Sequence, residues 1–330
     1  MNPFRSFLNS IKLPFQKKNV NFFIHIPKTA GTSFRNSLED SQYVLSDYGD
    51  AKHQTSEEVQ LSVYDNSDVF SLNQYLTGRN SWLCGHVWLT KYSGIVVAEN
   101  IATIVREPIE RVLSHYAHEK RWGQNQSIDL NSFLKTPYAK NTQCRFLAGC
   151  PISLIGVVGI TEDYENSLKI INQRFGTQLV AIRENVNEKK VYLRDTLSEE
   201  TLKLIRDQNQ EDIKLYEKAT ILQKERLAFL NSNKVWSYMF AQVSAPDEVR
   251  GIIFRSNVND PVAFRIRQGS KTLYEGIASE FVSCFPDVKF TRDRYVGFTA
   301  KLPKSSISST EQLEVECSDT LQAFKIVNEH

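Results

Sequence analysis

The chain has 330 residues, 41% of them apolar and 24% charged, a globular composition that excludes disordered and fibrous classes. Forty basic residues against 38 acidic ones leave a formal charge of +2, without the basic excess of a dedicated nucleic-acid binder. No apolar run approaches the roughly 20 residues of a membrane-spanning helix, and at roughly 150 residues per domain the length predicts about two domains.

Residues 1–19 carry basic and scattered apolar positions but no continuous apolar region and no small-residue cleavage site. They read as a leader of the mature chain and not as a secretory signal: frayed, packed, or in weak amphipathic contact with a membrane surface. Over 20–244 the pattern is strand, loop, helix, repeated. Apolar runs at 20–26, 82–84, 101–105 and 155–160 predict strands. Pro108 suits the first turn of the helix that follows the third, where Ile109, Val112, Leu113 and Tyr116 recur at helical spacing. Thr161 is the expected N-cap of another helix, with Tyr164, Leu168, Ile171 and Phe175 on one face and a stop at Gly176. Short buried strands alternating with helices predict an α/β fold, a P-loop-type parallel sheet flanked by helices on both sides.

Ser198 is the expected cap of a long helical stretch, with Glu199 and Glu200 in its dipole-favoured first turn. Leu202, Ile205, Ile213, Tyr216, Ala219 and Leu222 form its apolar stripe, and helical character is expected to about Phe240. Over 245–330 the texture changes to period-two alternation, as in residues 262–267, with turn signals at Asn259-Asp260-Pro261, Gly269-Ser270 and Pro303-Lys304-Ser305. These predict a small all-β, sandwich-like accessory domain with Phe281, Phe285, Tyr295 and Phe298 in its core. Cys84, Cys144, Cys150, Cys284 and Cys317 include no C-x-x-C pair. They read as buried thiols of a reducing compartment, with the cytoplasm as the expected location, and not as a disulfide framework or zinc site.

The strongest chemical signal is the run Ile24-His25-Ile26-Pro27-Lys28-Thr29-Ala30-Gly31-Thr32-Ser33-Phe34. A strand end, a glycine-containing loop and a helix start form a ready anion site, to which Lys28 adds charge and Thr29, Thr32 and Ser33 add hydroxyls. The lysine precedes the glycine, so this is not the nucleotide-triphosphate loop G-x-x-x-x-G-K-[ST]. No apolar strand ends in a magnesium-holding Asp either. The second signal is 101–116, IATIVREPIERVLSHY, in which Arg106 leaves a strand end and Ser114 lies two helical turns on. Together they suit one phosphate, the guanidinium through a bidentate contact.

The two segments together resemble the sulfotransferases that use 3′-phosphoadenosine 5′-phosphosulfate (PAPS), in the branch of heparan sulfate 2-O-sulfotransferase and its bacterial relatives. P-K-T-x-x-T-S-F matches that family's 5′-phosphosulfate loop, and V-R-E-P-I-E-R-x-x-S-x-Y its 3′-phosphate motif. Residues 141–147 and 159–162 look similar as well. The resemblance covers roughly 20–240 and implies a PAPS-dependent carbohydrate sulfotransferase of P-loop-like fold that needs no metal. It implies a donor site at Lys28, Thr29, Ala30, Gly31, Thr32, Ser33, Arg106 and Ser114. Gly85-His86-Val87 resembles the family's glycine–histidine, which makes His86 the catalytic base and Lys28 the stabiliser of the leaving oxygen. An unperturbed imidazole titrates near ~6.5 and is largely free to take a proton at neutral pH. His25 reads as packed in the first strand, while His115 and His118 face either acceptor or solvent.

The resemblance implies a glycan, polysaccharide or glycolipid acceptor. Lys120, Arg121, Trp122 and Arg145 are either a basic and aromatic acceptor rim or a solvated helix end. The β module either holds an oligosaccharide, docks a partner or covers the catalytic domain. Two other classes stand beside this reading: a metal-dependent kinase or other nucleoside-triphosphate enzyme, and a catalytically inactive nucleotide- or glycan-binding protein.

Overall fold

In a computed structural model of the protein, the described residues are 19–50, 52–123, 125–181, 193–256, 258–303 and 312–327. The expected leader, apart from residue 19, and the Lys304-Ser305 part of one expected turn lie outside them. Apolar side chains on both faces make β1 (Val20–Ile24), β3 (Ser81–Gly85), β4 (Ile101–Val105) and β5 (Val157–Ile160) buried strands. A fifth, β2 (Tyr43–Asp47), was not among the expected strands. All pair in parallel, in the order β2-β3-β1-β4-β5. The chain therefore leaves β1 toward one edge of the sheet and β4 toward the other. A crevice opens at the carboxyl ends of such neighbouring strands, where ligands of open α/β sheets bind.

The helix Pro108–Trp122 follows β4, with Pro108 in its first turn and Glu107 accepting from the Glu110 N–H at 2.8 Å. Thr161 is not a helix cap. It opens a 3₁₀ turn, Thr161–Asp163, and its hydroxyl donates to the Val105 carbonyl at 3.0 Å, tying β5 to β4. The helix Tyr164–Phe175 then stops at Gly176, whose φ of 65° is left-handed. Ser198 caps the helix Glu199–Gln208, and a break at Asn209 separates it from Gln210–Asn231.

Helical character does not persist to Phe240. Asn233 turns left-handed at φ 51°, and the β-branched and aromatic run after it pairs instead as a strand, β6 (Ser237–Ala245). It belongs to an antiparallel sheet with β7 (Glu248–Arg255), β10 (Glu280–Phe281) and β11 (Tyr295–Lys301), in the order β10-β11-β7-β6. A second sheet has the order β13-β12-β8-β9, from β8 (Val262–Gln268), β9 (Lys271–Ala278), β12 (Leu313–Cys317) and β13 (Ala323–Lys325). Met239, Ile253, Phe264, Ile266, Phe298 and Val315 meet between the two sheets. Along β6 and β7 the alternate residues Tyr238, Ile252 and Phe254 point the other way and join the core of the parallel sheet.

Two expectations about burial fail. Phe281 and Tyr295 are exposed, forming an edge-to-face pair at 5.6 Å, because β10 is a two-residue edge strand with no layer over it. All five cysteines are free thiols; Cys84, Cys150 and Cys317 are buried, but Cys144 is only half-buried and Cys284 is exposed. Among the described residues no helix is long and apolar enough to cross a membrane.

Candidate functional site

After Ile24 the chain tucks His25 and Ile26 into the core and turns sharply. Lys28 (φ 73°) and Ala30 (φ 68°) both take left-handed conformations, and the helix Gly31–Glu39 starts immediately after. Such alternation of hand folds successive N–H groups into a concave nest. The first helical bond is Phe34 N–H to the Ala30 carbonyl, so the N–H groups of Gly31, Thr32 and Ser33 have no acceptor within the helix. Thr29 is fully buried and its hydroxyl donates to the Ile26 carbonyl at 2.9 Å. This position therefore braces the loop with its side chain and offers an anion its backbone. Thr32 and Ser33 stand at the open helix start, the first exposed and the second half-buried.

A glycine is required at 31 because a Cβ there would lie 2.0 Å from Cδ2 of His25. His25 in turn shares a hydrogen bond with the Tyr48 hydroxyl through Nδ1 at 2.8 Å. Its ring meets His86 edge-on at 4.3 Å, and Tyr48 meets His86 at 4.8 Å. His86 follows the last residue of β3 and donates its N–H to the Asp47 carbonyl at 3.1 Å. Only glycine fits at 85, since a Cβ would come within 1.9 Å of that same Asp47 oxygen. One face of the His86 ring is thus packed on His25 and Tyr48. His86 also lines a cavity of about 380 Å³, with Val87, Trp88, Thr90 and Lys91.

Arg106 leaves the end of β4 on the other side of β1. The Gln143 amide clamps its backbone, accepting from the Arg106 N–H at 2.8 Å and donating to its carbonyl at 2.9 Å. The guanidinium reaches the loop: Nη1 donates to the Lys28 carbonyl at 3.3 Å. Glu110 and Glu162 approach it only at 3.8 and 3.9 Å, and its buried Nε has no hydrogen-bond partner. Ser114 is half-buried on the Pro108–Trp122 helix, between Arg111 and His118.

The electrostatics of the site are one-sided. Desolvation, then Arg106 and Arg121, lower the Lys28 ammonium below its usual pKa. Desolvation, followed by Arg35, Lys28 and His118, pushes His86 down to about 4. Burial together with Arg111, Lys28, His118 and His86 takes His115 to about 3. Desolvation, then His86, Arg35 and Lys28, holds His25 well below the usual imidazole range, and His118 is lowered by desolvation and Lys28. No carboxylate is among the groups acting on His25, His86 or Lys28. Arg35 pairs with Glu39 at 3.6 Å, so Lys28 and the distantly paired Arg106 are the cations this pocket can turn toward an anionic group. Among the described residues no group of three or more His, Cys, Asp and Glu is placed to hold a metal ion.

The expected acceptor rim is not brought together. Arg121 lies within the field of Lys28, whereas Lys120 and Trp122 are exposed at the helix end. Arg145 donates to the Pro137 carbonyl and to Thr142, and lines a separate cavity of about 560 Å³ with Lys135, Lys140 and Glu211. Residues that sequence reasoning missed include Arg35, Tyr48 and, above all, Asp47; Gln143 lies in the 141–147 segment noted above, without a role assigned to it there. The Asp47 carboxylate is fully buried, taking Lys91 Nζ at 2.6 Å, Tyr92 OH at 2.6 Å and Tyr64 OH at 2.7 Å. Burial alone would raise its pKa; those three bonds outweigh it and hold the carboxyl below its usual value. A polar residue at the end of a short edge strand gave no signal of this.

A model described as the Sulfotransferase family matches residues 13–147, so the segment with the loop, His86 and Arg106 carries a sulfotransferase-family pattern. No curated protein matches the chain. Among solved structures, the crystal structure of mouse sulfotransferase SULT7A1 complexed with PAP matches at 14% identity and a TM-score of 0.32. That alignment covers 50% of this chain and 60% of the mouse chain.

Proposed function

We propose, with the family match over residues 13–147 as premise, that the protein is a PAPS-dependent sulfotransferase. In this reading it transfers a sulfuryl group to a carbohydrate hydroxyl and belongs to the branch that contains heparan sulfate 2-O-sulfotransferase. The observation that carries it is the pairing of two cationic anchors, Lys28 in the loop and Arg106 after β4, across the β1/β4 crevice, with a proton-free His86 beside them. The donor fits the residues present: a helix start whose first N–H groups have no acceptor within the helix, an Arg106 Nε without a hydrogen-bond partner, and Lys28 with no carboxylate acting on it suit a ligand with anionic groups at both ends.

When bound, PAPS supplies an activated sulfuryl group on a 5′-phosphate leaving group. The loop N–H groups of residues 30–33 and the Thr32 and Ser33 hydroxyls hold the 5′ end. Arg106, with Ser114 on the adjoining helix, holds the 3′-phosphate and so fixes the nucleotide along the crevice. Lys28 sets its ammonium against the negative charge that develops on the leaving oxygen. His86 takes the acceptor's hydroxyl proton onto an imidazole nitrogen, its ring held in place by His25 and Tyr48. Residues 245–330, with β6, form an accessory module, and the free thiols suit a reducing compartment such as the cytoplasm.

Calorimetry with adenosine 3′,5′-bisphosphate (PAP) and, in parallel, with ATP and magnesium tests the donor. Tight PAP binding is expected; binding of ATP with magnesium but not of PAP would favour a kinase-like enzyme instead. Transfer of label from [³⁵S]PAPS to a glycan panel tests the reaction. His86→Ala is expected to abolish transfer while PAP affinity stays within about twofold, because the imidazole contacts the acceptor and not the nucleotide. A PAP-binding protein that labels nothing would be an inactive binder.

A further inference from the structure

The cavity that His86 lines is formed by residues within 86–91, of which Trp88, Thr90 and Lys91 lie beyond the Gly85-His86-Val87 motif. Val87 turns inward and is buried, while His86 and Trp88 on either side of it are exposed and line the same hollow. Trp88 is 61% exposed, an unusual placement for so large an apolar ring, and it stands two residues from the proposed base. Its backbone is extended (φ −75°, ψ 153°) and leads into the short helical turn Leu89–Tyr92, whose buried Leu89 and Tyr92 anchor it from below. The ring is therefore mounted on a rigid support and not on a loose loop.

The charge of the cavity is the second observation. Lys91 is the one Lys, Arg, Asp or Glu in the lining, and its ammonium is committed. Its Nζ lies 2.6 Å from Asp47 Oδ2, donates to the Tyr64 hydroxyl at 2.8 Å, and sits 4.4 Å above the Tyr64 ring. Asp47 supplies the neutralising charge from within the core. The hollow thus offers an aromatic face, the Thr90 hydroxyl and an imidazole, with no unpaired cation. At about 380 Å³ it falls within the range of small-ligand pockets.

We propose that this cavity is the acceptor subsite, that Trp88 is its specificity-determining platform, and that the ring it receives is an uncharged sugar. The inference rests on the sulfotransferase reading above, which places His86 at the reacting hydroxyl. An aromatic face packs against the apolar C–H face of a pyranose, while Thr90 and His86 address its hydroxyls. A uronic acid or sulfated ring would bring an anion against a lysine already paired with Asp47, and so would lose hydration without gaining a partner. The cations that act on His86 and Lys28 are Lys28 itself, Arg35, Arg106 and Arg121, and none of the four lines this cavity.

The test uses the full chain, [³⁵S]PAPS, neutral disaccharides (lactose, cellobiose, maltose) and the same disaccharides oxidised at C6 to uronic acids, with PAP calorimetry alongside. Transfer to a neutral disaccharide is expected. Trp88→Ala should raise its KM about tenfold with PAP affinity unchanged, and Trp88→Phe should recover most of that loss. Preference for the uronic acids, an unchanged KM in Trp88→Ala, or PAP binding without transfer to either set would overturn the subsite while leaving the donor site intact. Failure of the unaltered protein to bind PAP would instead overturn the donor reading, and the subsite with it.

Discussion

His86 is useful as a base only while its ring is proton-free, and the bare site enforces this by desolvation and by Arg35, Lys28 and His118 around it. A pKa of about 4 also makes it a weak base. The donor eases that. Phosphate and sulfate charges placed against Lys28 and the loop oppose part of the positive field on His86, beneath the larger effect of desolvation, and shift the imidazole upward. Ligand binding must then be coupled to proton uptake, so PAP is expected to bind more tightly at pH 6 than at pH 8; an affinity independent of pH would argue against the coupling. The imidazoles of buried His25 and half-buried His115 carry a second consequence. Both take protons less readily in the fold than in the unfolded chain, where histidine titrates near ~6.5. Above that pH neither state is protonated and stability is unaffected. Below it the unfolded state gains protons first, and the fold weakens by up to ~1.4 kcal/mol per pH unit for each such group. The urea midpoint of the ligand-free protein should therefore fall between pH 7.5 and 5.5. Arg106→Ala is expected to weaken PAP by tenfold or more, since a charge-assisted bidentate contact is lost. Lys28, His86 and Arg106 stand out in the sequence as candidates because each follows a strand within two residues of a glycine or proline that punctuates the pattern. Asp47, Tyr48, Arg35 and Gln143 do not, since they act through contacts that only the folded chain creates.

At the scale of elements, two glycines fix how the loops at the ends of β1 and β3 sit, and they do so differently. At 31 the obstacle to a side chain is the His25 ring, with Cδ2 at 2.0 Å and Nε2 at 2.4 Å. At 85 it is backbone, the Asp47 carbonyl oxygen at 1.9 Å, on the neighbouring strand β2. A ring can be trimmed and a backbone cannot. Gly31→Ala alone should displace His25, disturb His86 and weaken PAP binding. His25→Ala combined with Gly31→Ala should lose less stability than the two single losses added, a favourable coupling measurable in a double-mutant cycle. Additive losses would mean that the ring and the glycine do not meet. Gly85→Ala has no such rescue and should cost several kcal/mol, at the severe end for point substitutions. The same level explains what the sequence concealed. β1, β3 and β4 read clearly because both faces are apolar. β2 ends in Ser46-Asp47, polar residues that its burial requires for hydrogen bonds and that periodicity counts as loop. β6 was read as helix because the apolar spacing continued past Asn231. The stop lay in the left-handed Asn233, a weaker signal than glycine or proline.

For the whole molecule, the decisive fact is that β6 and β7 have two apolar faces. Met239, Val249 and Ile253 pack toward the second sheet, whereas Tyr238, Ile252 and Phe254, with Trp236, Val288, Phe290 and Val296, belong to the core of the parallel sheet. Polar ties cross the same seam. Lys289 accepts from the Ala98 N–H and donates to the Ser93 carbonyl, both at 2.8 Å, and extends the chain beside Val97 in a parallel bridge. Arg174 Nε donates to the Tyr238 hydroxyl at 3.1 Å, and Arg226, which holds the Ile155 carbonyl at 3.0 Å, lies over the Trp236 and Tyr238 rings. The β module is therefore a wall of the parallel-sheet core and not an independently folded attachment. Each large side chain withdrawn from that seam removes roughly 1.5–3 kcal/mol of burial, and half a dozen of them equal the whole stability of a typical domain. A chain ended at residue 234, just before the β module, is accordingly expected to be insoluble or molten, without PAP binding. The full chain should unfold in a single calorimetric transition, with PAP raising the temperature of that one transition. Two resolved transitions, only the first of them moved by PAP, would show instead that the halves fold separately and that the shared seam contributes little.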